Sequence, residues 1–535
     1  MGLIISSAVL VFSAVISIII NRSLLPKISV NYVSMVIGGL LASIPVLNAL
    51  VERFDPNIFI GLIVAPLLFF EGQNTRMNTV GRNARLIISL TVGMVIACAV
   101  VAGFGTAGIT TLGLPLAFIL AAISTPTDAT ATESVTMGRL LPQREETALK
   151  LESLFNDASG IILLNMAILW YVNGYVNYSQ TLLDFLYSAG GGLVVGALIS
   201  GVLVYMRQSM LRSNSNFINN TYNNGTPLKV IYLLTPFLIY FVTEEIGVSG
   251  IIAVVFAGLI HNAEGERSAL TNPKLSYDSY ELVDLISDVL NSAVFIVLGI
   301  MLVRIATDKS VTYNGSLIWI GIGVILYVAN LVIRYGYTRL VHHLDRKSAW
   351  IFALGGIHGA VTFALAFTVA TTQVKTSDFN LILMSESTLI ILSLLIPTIL
   401  FRWLLPKQTV DQELAVRTKA TRGQMVQVGI DLVQARGDLT AEIKDAVIFD
   451  LRSQDGATTT KQFVSEWRRM IRHPEYSQEQ MNQLVTVYQK VFQAERTFLM
   501  DAYYQNGTIS EIIYNGLYKE ITMAEMVVLD YGVNA

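Results

Sequence analysis

The chain has 535 residues, of which 53% are hydrophobic and 14% charged, and its mean hydropathy is +0.56. Soluble domains carry about 25% charged residues, so a wholly water-soluble protein is excluded. A net charge of −3 with no dense basic stripe argues against a nucleic-acid partner, and the single cysteine, Cys98, allows neither a disulfide framework nor a thiolate metal site. Up to Pro406 the charges fall in short clusters between long apolar runs; beyond it they recur every few residues. The composition therefore predicts a transmembrane domain over 1–405 and a water-soluble tail over 406–535.

A spanning helix needs about 20 predominantly apolar residues. Thirteen windows qualify, roughly 3–20, 28–47, 57–71, 86–109, 114–136, 149–172, 182–206, 228–243, 248–261, 281–303, 315–340, 350–372 and 380–404. The first lacks a basic flank and a small-residue cleavage site, so it reads as a retained membrane helix. The division between the eighth and ninth, near Gly247–Gly250, is the least marked. Loops on one side hold Arg22, Lys27, Arg76, Arg82, Arg85, Arg139, Arg144, Arg207, Arg212, Lys229, Arg267, Lys274, Arg339, Arg346 and Lys347. The other side holds only Arg53, Arg304, Lys309 and Lys375. This alternation predicts an N-terminus outside and a cytoplasmic tail.

Polar residues inside the spans cost at least ~2.5–3.5 kcal/mol when ionised at the bilayer centre, so each needs a partner, water or a task. In chain order, Glu71 ends the third span, as an interfacial anchor or a site residue. In the fifth, Ser124-Thr125-Pro126-Thr127-Asp128 surrounds a proline that removes a helical hydrogen bond, predicting a broken helix beside an ion site, or else a kink with Asp128 as an N-cap. In the sixth, Glu152-Ser153-Leu154-Phe155-Asn156-Asp157 puts Ser153 and Asp157 on one face, and Glu152 and Asn156 on the next. Hydroxyl and carboxylate oxygens are hard ligands suited to Na⁺, Li⁺ or K⁺. Glu244 and Glu245 end the eighth span, and Asp284 and Asp288 lie four apart at the start of the tenth, where they could line an entry funnel. Arg334 in the eleventh must find an acidic or carbonyl partner or snorkel. Gly355-Gly356-Ile357-His358-Gly359 in the twelfth is a second break or a close helix contact, and two interrupted spans, one in each half, point to an inverted-repeat transporter.

These residues resemble a family. Thr125-Pro126-Thr127-Asp128 followed by Glu152-Ser153-Leu154-Phe155-Asn156-Asp157-Ala158, with Phe70-Glu71-Gly72 and Gly355-Gly356-Ile357-His358-Gly359-Ala360, is similar to the motif set of sodium/proton exchangers of the monovalent cation:proton antiporter-1 family. The resemblance implies an all-α polytopic membrane protein with inverted repeats and crossed broken helices. Asp157 would bind the cation and the proton, with Asp128, Ser153, Thr127 and Glu71 assisting, so that a monovalent cation sits at Asp128, Ser153 and Asp157. It also implies electroneutral exchange from Asn156, a homodimer in the cell membrane, and a core domain moving against a dimerisation domain. His358 stands where the family carries an arginine that pairs with the glutamate matching Glu152. A histidine, with an unperturbed pKa near ~6.5, would clamp Glu152 only while protonated; alternatively His358 makes one neutral hydrogen bond and Arg334 serves Glu152.

The tail shows helical periodicity broken at Arg436-Gly437-Asp438, Ser453–Gly456, His473-Pro474 and Asn506-Gly507, with its longest helical stretch over Ser477–Gln505. It has neither a phosphate-binding glycine loop nor a metal-ligand cluster, so no cofactor is expected; regulation or assembly are its open roles. The sequence as a whole predicts antiport of Na⁺ (or Li⁺ or K⁺) against H⁺. The rivals are a proton-coupled symporter of a small solute and a membrane-embedded hydrolase, for which Ser153 and His358 are the conceivable nucleophile and base.

Overall fold

The computed structural model describes residues 2–534 apart from 27, 53–54, 176–177, 214–224, 269–272, 308–316, 370–373, 408–411, 457–458, 460, 463, 466–476 and 506. Its chain divides into two compact units, Met1–Lys407 and Gln408–Ala535. Both are helical, and among the described residues the β-pairing outside helices is one isolated bridge between Arg139 and Lys407.

A helix, whole or broken, lies in each window that the hydropathy marks. They are α1 (Gly2–Leu24), α2 (Val30–Ser43), α3 (Pro56–Gln73), α4 (Ala84–Ile109), α5a (Leu114–Ile123) with α5b (Ala129–Thr136), α6 (Gln143–Asn173) and α7 (Tyr178–Ser213). Then follow α8 (Gly225–Glu245), α9 (Gly250–Ser268), α10 (Pro273–Thr307), α11 (Ile318–Leu340), α12a (Arg346–Leu354) with α12b (Ala360–Thr368), and α13 (Thr376–Leu404). Among the described residues, nine helices are long and apolar enough to cross a membrane; α2, α5a and part of α9 are shorter apolar helices. The faint division between the eighth and ninth windows is a real turn, made at Gly247 in the left-handed region, and the Glu244 carboxylate accepts the Gly250 N–H at the start of α9 (2.8 Å).

In hydrocarbon, helices gain little from burying apolar surface against each other, and small residues let them pack closely instead. The contact of α2 with α10 works in this way. A Cβ on Gly38 would lie 2.1 Å from the Ile296 carbonyl oxygen, and one on Gly299 would lie 2.0 Å from that of Met35. The helices α3 and α4 each contain a π-helical turn, Ile60–Val64 and Ser89–Met94. Such turns cluster near functional sites because the extra residue re-aims the side chains beyond it; beyond the first of them lies Glu71.

The second unit contains α14 (Gln412–Ala435), α15 (Ala441–Gln454), α16 (Gln478–Met500) and α17 (Glu511–Asn534). Capping residues fix two starts: Thr440 accepts from the Ile443 N–H, and Ser477 forms a capping box with Gln480. After Met500 a π-helical turn carries the chain to Gln505. The proposed break at His473-Pro474 lies outside the described residues, as does Asn506. Val433, Ile443, Val447, Leu451, Val491, Phe492, Leu499 and Leu517 form a buried core, each such side chain contributing about 1.5–3 kcal/mol.

That core also encloses a carboxylate. Glu495 on α16 is fully buried, and among the described residues neither of its carboxylate oxygens has a hydrogen-bond partner. It faces Gly429 of α14, where a Cβ would lie 3.2 Å from Oε1. The charged group that acts on it is the neighbouring Arg496, itself committed to Glu525 of α17. Burial pushes the Glu495 carboxyl up to about 8, with Arg496 opposing. The folded-state value therefore lies above the unfolded one. The stability this group contributes is full below about pH 4.5 and is lost as pH rises through about 8. Hydrogen exchange of α16 in the full-length protein, corrected for intrinsic rates, should show protection falling between pH 5 and pH 9. Glu495→Gln should flatten that fall; an equal fall in the variant would mean that other groups cause it.

Candidate functional site

The site begins with two missing turns of helix. Helix α5a ends at Ile123 and α5b starts at Ala129; α12a ends at Leu354 and α12b starts at Ala360. The two gaps face each other, and each satisfies the other's backbone. The Asp128 N–H donates to the Ile357 carbonyl (2.8 Å). His358 Nδ1 and the Thr362 hydroxyl both lie on the Pro126 carbonyl, at 2.9 and 3.2 Å. The Thr132 hydroxyl donates to the Gly355 carbonyl (2.8 Å), and the His358 N–H donates to Ser393 Oγ of α13 (3.1 Å). The glycine run is thus both a break and a close contact: a Cβ on Gly359 would sit 2.0 Å from Asp128 Oδ2.

Around this crossing the sequence-predicted residues converge. Asp128 caps α5b, its Oδ1 accepting from the Thr130 N–H (2.9 Å), the Thr130 hydroxyl (2.7 Å) and the Ala131 N–H (3.0 Å). The N-cap reading of Asp128 therefore holds for that oxygen. The Thr127 hydroxyl accepts from Asn156 Nδ2 (2.8 Å) and shares a hydrogen bond with Ser153 Oγ (3.0 Å). Asn156 so ties α6 to the broken segment. Asp157, one turn beyond Ser153, is buried, and among the described residues neither its Oδ1 nor Asn156 Oδ1 has a hydrogen-bond partner. The charges close enough to act on Asp157 are those of Asp128 and Glu71. Glu71, half-buried on α3, also feels Asp128, Glu133 and Lys150. Three carboxylates and two hydroxyls thus surround the break. Hard oxygens of this kind suit an alkali cation, and a cation or a proton would relieve the repulsion among them. Among the described residues no group of three His, Cys, Asp or Glu could hold a metal of the transition series.

Glu152 and His358 do not meet. Arg334 of α11 clamps Glu152 with both terminal nitrogens, Nη2 lying 2.8 Å from Oε2 and Nη1 contacting Oε1. Arg334 is 3% exposed, so it does not snorkel. It also donates to the Phe352 carbonyl (3.3 Å) and lies over the Phe352 ring at 4.9 Å. The expected pH-dependent clamp between His358 and Glu152 gives way to the alternative, because the guanidinium fills the carboxylate's bidentate acceptor. His358 faces a carbonyl, so Nδ1 carries the proton. Ser153 and His358 do not pair as nucleophile and base: Ser153 bonds Thr127, and His358 bonds Pro126. Further out, Asp288 meets Arg22 in an exposed pair at 3.1 Å.

Sequence reasoning missed Thr132, Thr362, Ser393 and Asn330, whose Nδ2 lies 3.1 Å from both the carbonyl and the hydroxyl of Ser124. One signal was available. Asn330, Arg334 and Thr338 recur every four residues in an apolar span, and all three are buried on one face of α11.

Comparison with known proteins gives the family and the fold. The family model described as "Sodium/hydrogen exchanger, transmembrane" matches residues 9–407. A protein of Bacillus pumilus named "Sodium, potassium, lithium and rubidium/H(+) antiporter" is 31% identical over 432 residues, covering 76% of this chain and 62% of its own length. A Bacillus subtilis protein of the same name is 31% identical over 414 residues, covering 73% and 60%. The chain thus spans less than two thirds of the length of these two relatives. The fold resembles that of the sodium proton antiporter MjNhaP1 of Methanocaldococcus jannaschii, with a TM-score of 0.56 at 18% identity over 76% of this chain and 98% of that one. With the family model covering residues 9–407, which include both crossed breaks, the chain belongs to the sodium/hydrogen exchanger family.

Proposed function

We propose that the protein exchanges Na⁺, or Li⁺ or K⁺, for H⁺ across the cell membrane by alternating access, with cation and proton competing for Asp157. One observation carries this reading: a buried carboxylate with an unpartnered oxygen, one helical turn from Ser153, beside a helix break and two other carboxylates. Desolvation favours the neutral acid, and a bound cation favours the carboxylate, so taking up one ion expels the other. If only neutralised forms reorient, coupling requires no further machinery. The alkali cations in the names of the two Bacillus relatives fit a hard-oxygen set that discriminates weakly by size. Asp128 sets the polar end of the break, Ser153 and Thr127 supply hydroxyls, and Glu71 adds charge. The loop charges support an outside N-terminus and a cytoplasmic tail, and the family supports a homodimer.

Reconstituted protein with a trapped pH dye tests the site. Asp157→Asn should reduce cation-driven proton movement to background while the protein still inserts. Ser153→Ala should raise the apparent KM for Na⁺ by about tenfold, the worth of one lost polar contact, with Vmax held within about twofold. Near-normal exchange by Asp157→Asn would remove Asp157 from its role.

Asn156 is neutral at any pH, which supports a stoichiometry of one cation to one proton. Turnover in tight vesicles should then be unaffected by an imposed potential, and transport should generate none. A reproducible potential would contradict this.

The pair of Glu152 with Arg334 and the contact of His358 with Pro126 assign separate tasks. Arg334→Ala leaves Glu152 as an uncompensated buried charge, a loss of about 3–5 kcal/mol, and should abolish stable insertion or exchange. His358→Asn keeps a donor for the Pro126 carbonyl and should retain exchange with an unshifted pH profile. A profile displaced along the pH axis would restore His358 as a titrating element.

A further inference from the structure

In a continuous helix the Ser124 carbonyl would accept the N–H of the residue four positions on, which is Asp128. Here that N–H is spent on the Ile357 carbonyl of the other broken helix (2.8 Å). The crossing therefore orphans the Ser124 carbonyl. Ser124 is fully buried, so water cannot take the vacant place, and an unmade hydrogen bond in such a setting costs several kcal/mol. The acceptor is served from a third helix. Asn330 Nδ2 of α11 lies 3.1 Å from Ser124 O and 3.1 Å from Ser124 Oγ, and 3.1 Å from Leu326 O on its own helix. The Ser124 hydroxyl donates to the Ala121 carbonyl (2.8 Å), which leaves its lone pair turned to the amide. Two amide hydrogens are thus shared among three oxygens, two of which belong to Ser124.

One turn further along α11, Arg334 holds Glu152 of α6, directly before Ser153. A single face of α11 therefore grips both partners of the candidate site: Asn330 grips the end of α5a, and Arg334 grips α6. The Thr127–Ser153 and Thr127–Asn156 contacts lie between these grips.

We infer that Asn330 is a positioning residue for cation exchange: its amide replaces the helical hydrogen bond lost at Ser124 and so fixes the broken segment 124–128 against Ser153 and Asp157. It touches no transported ion. The inference rests on Asp157 being the ion-binding carboxylate. Losing Asn330 frees the end of α5a, disperses the Thr127 and Ser153 oxygens, and weakens cation binding more than reorientation. Aspartate at this position would oppose a carboxylate to two oxygens when ionised, and could donate only when protonated.

The test uses full-length Asn330→Ala and Asn330→Asp in proteoliposomes, with Na⁺ binding measured calorimetrically in detergent and Asp157→Asn as the control. Asn330→Ala should weaken Na⁺ binding and raise its KM by about tenfold, the equivalent of one hydrogen bond to a buried carbonyl, with Vmax within about threefold. Asn330→Asp should lose Na⁺ affinity progressively toward alkaline pH and recover toward acid pH. Unchanged Na⁺ affinity in an inserted Asn330→Ala overturns the inference. So does a pH-independent Asn330→Asp whose defect lies wholly in Vmax, which marks a packing role. If Asn330→Ala does not insert, the pH dependence of Asn330→Asp decides alone. If Asp157→Asn still exchanges, the assignment of the ion site has failed rather than that of its brace.

Discussion

Every buried backbone amide must find a partner where water cannot reach it, and this constraint organises the membrane unit. Two helices break at the same depth and so expose carbonyls and N–H groups that no lipid can satisfy. Each break is tolerated because the other one answers it. Asp128 N–H meets Ile357 O, and Pro126 O meets His358 and Thr362. Neither segment has an independent solution, so the two are tied to each other. Side chains of α13 and α11, Ser393 and Asn330, complete the hydrogen bonding.

Charge follows from the same geometry. A helix N-terminus carries roughly half a positive charge, and the crossing brings the starts of α5b and α12b to Asp128: one carboxylate oxygen caps α5b, and the other abuts Gly359, the residue before α12b. Glu152 is neutralised separately by Arg334. Asp157, by contrast, has among the described residues no hydrogen bond to Oδ1, and the charges that act on it are those of Asp128 and Glu71. A proton or a cation is what such a group lacks.

Much of this was legible in the chain because membrane residence suppresses ordinary polar noise. Pro126 with its flanking threonines and Asp128 announced a break, and Gly355-Gly356-Ile357-His358-Gly359 a second. The i, i+4 spacing of Ser153 and Asp157 put both on one face of α6. What spacing does not encode is which partner a buried polar group finds across space. Glu152 had two plausible cations, His358 and Arg334, each about two hundred residues away along the chain, and a family pattern favoured the wrong one. The outcome turned on where α11 lies, since Gly356 presents no side chain to Arg334: a Cβ there would lie 2.2 Å from Nε. Asn330 escaped notice for a different reason. A lone amide in an apolar span carries no chemistry of its own; its meaning comes from the orphaned carbonyl it meets.

The role of α11 also bears on the alternating access proposed above. Alternating access requires rigid pieces, because a site that deformed during reorientation would release its ion on the wrong side. The broken segments alone are the least rigid kind of structure, short helices ending at non-helical chain. In the bracing role inferred above, a continuous helix of 23 residues holds α5a through Asn330 and α6 through Arg334. The Arg334 grip is an ion pair and the Asn330 grip a neutral amide, so the two add no net charge beside the break. A lysine in place of Asn330 would have satisfied the Ser124 carbonyl equally well. Whenever protonated it would also have placed a positive charge beside the break and, on the mechanism proposed above, weakened the competition at Asp157.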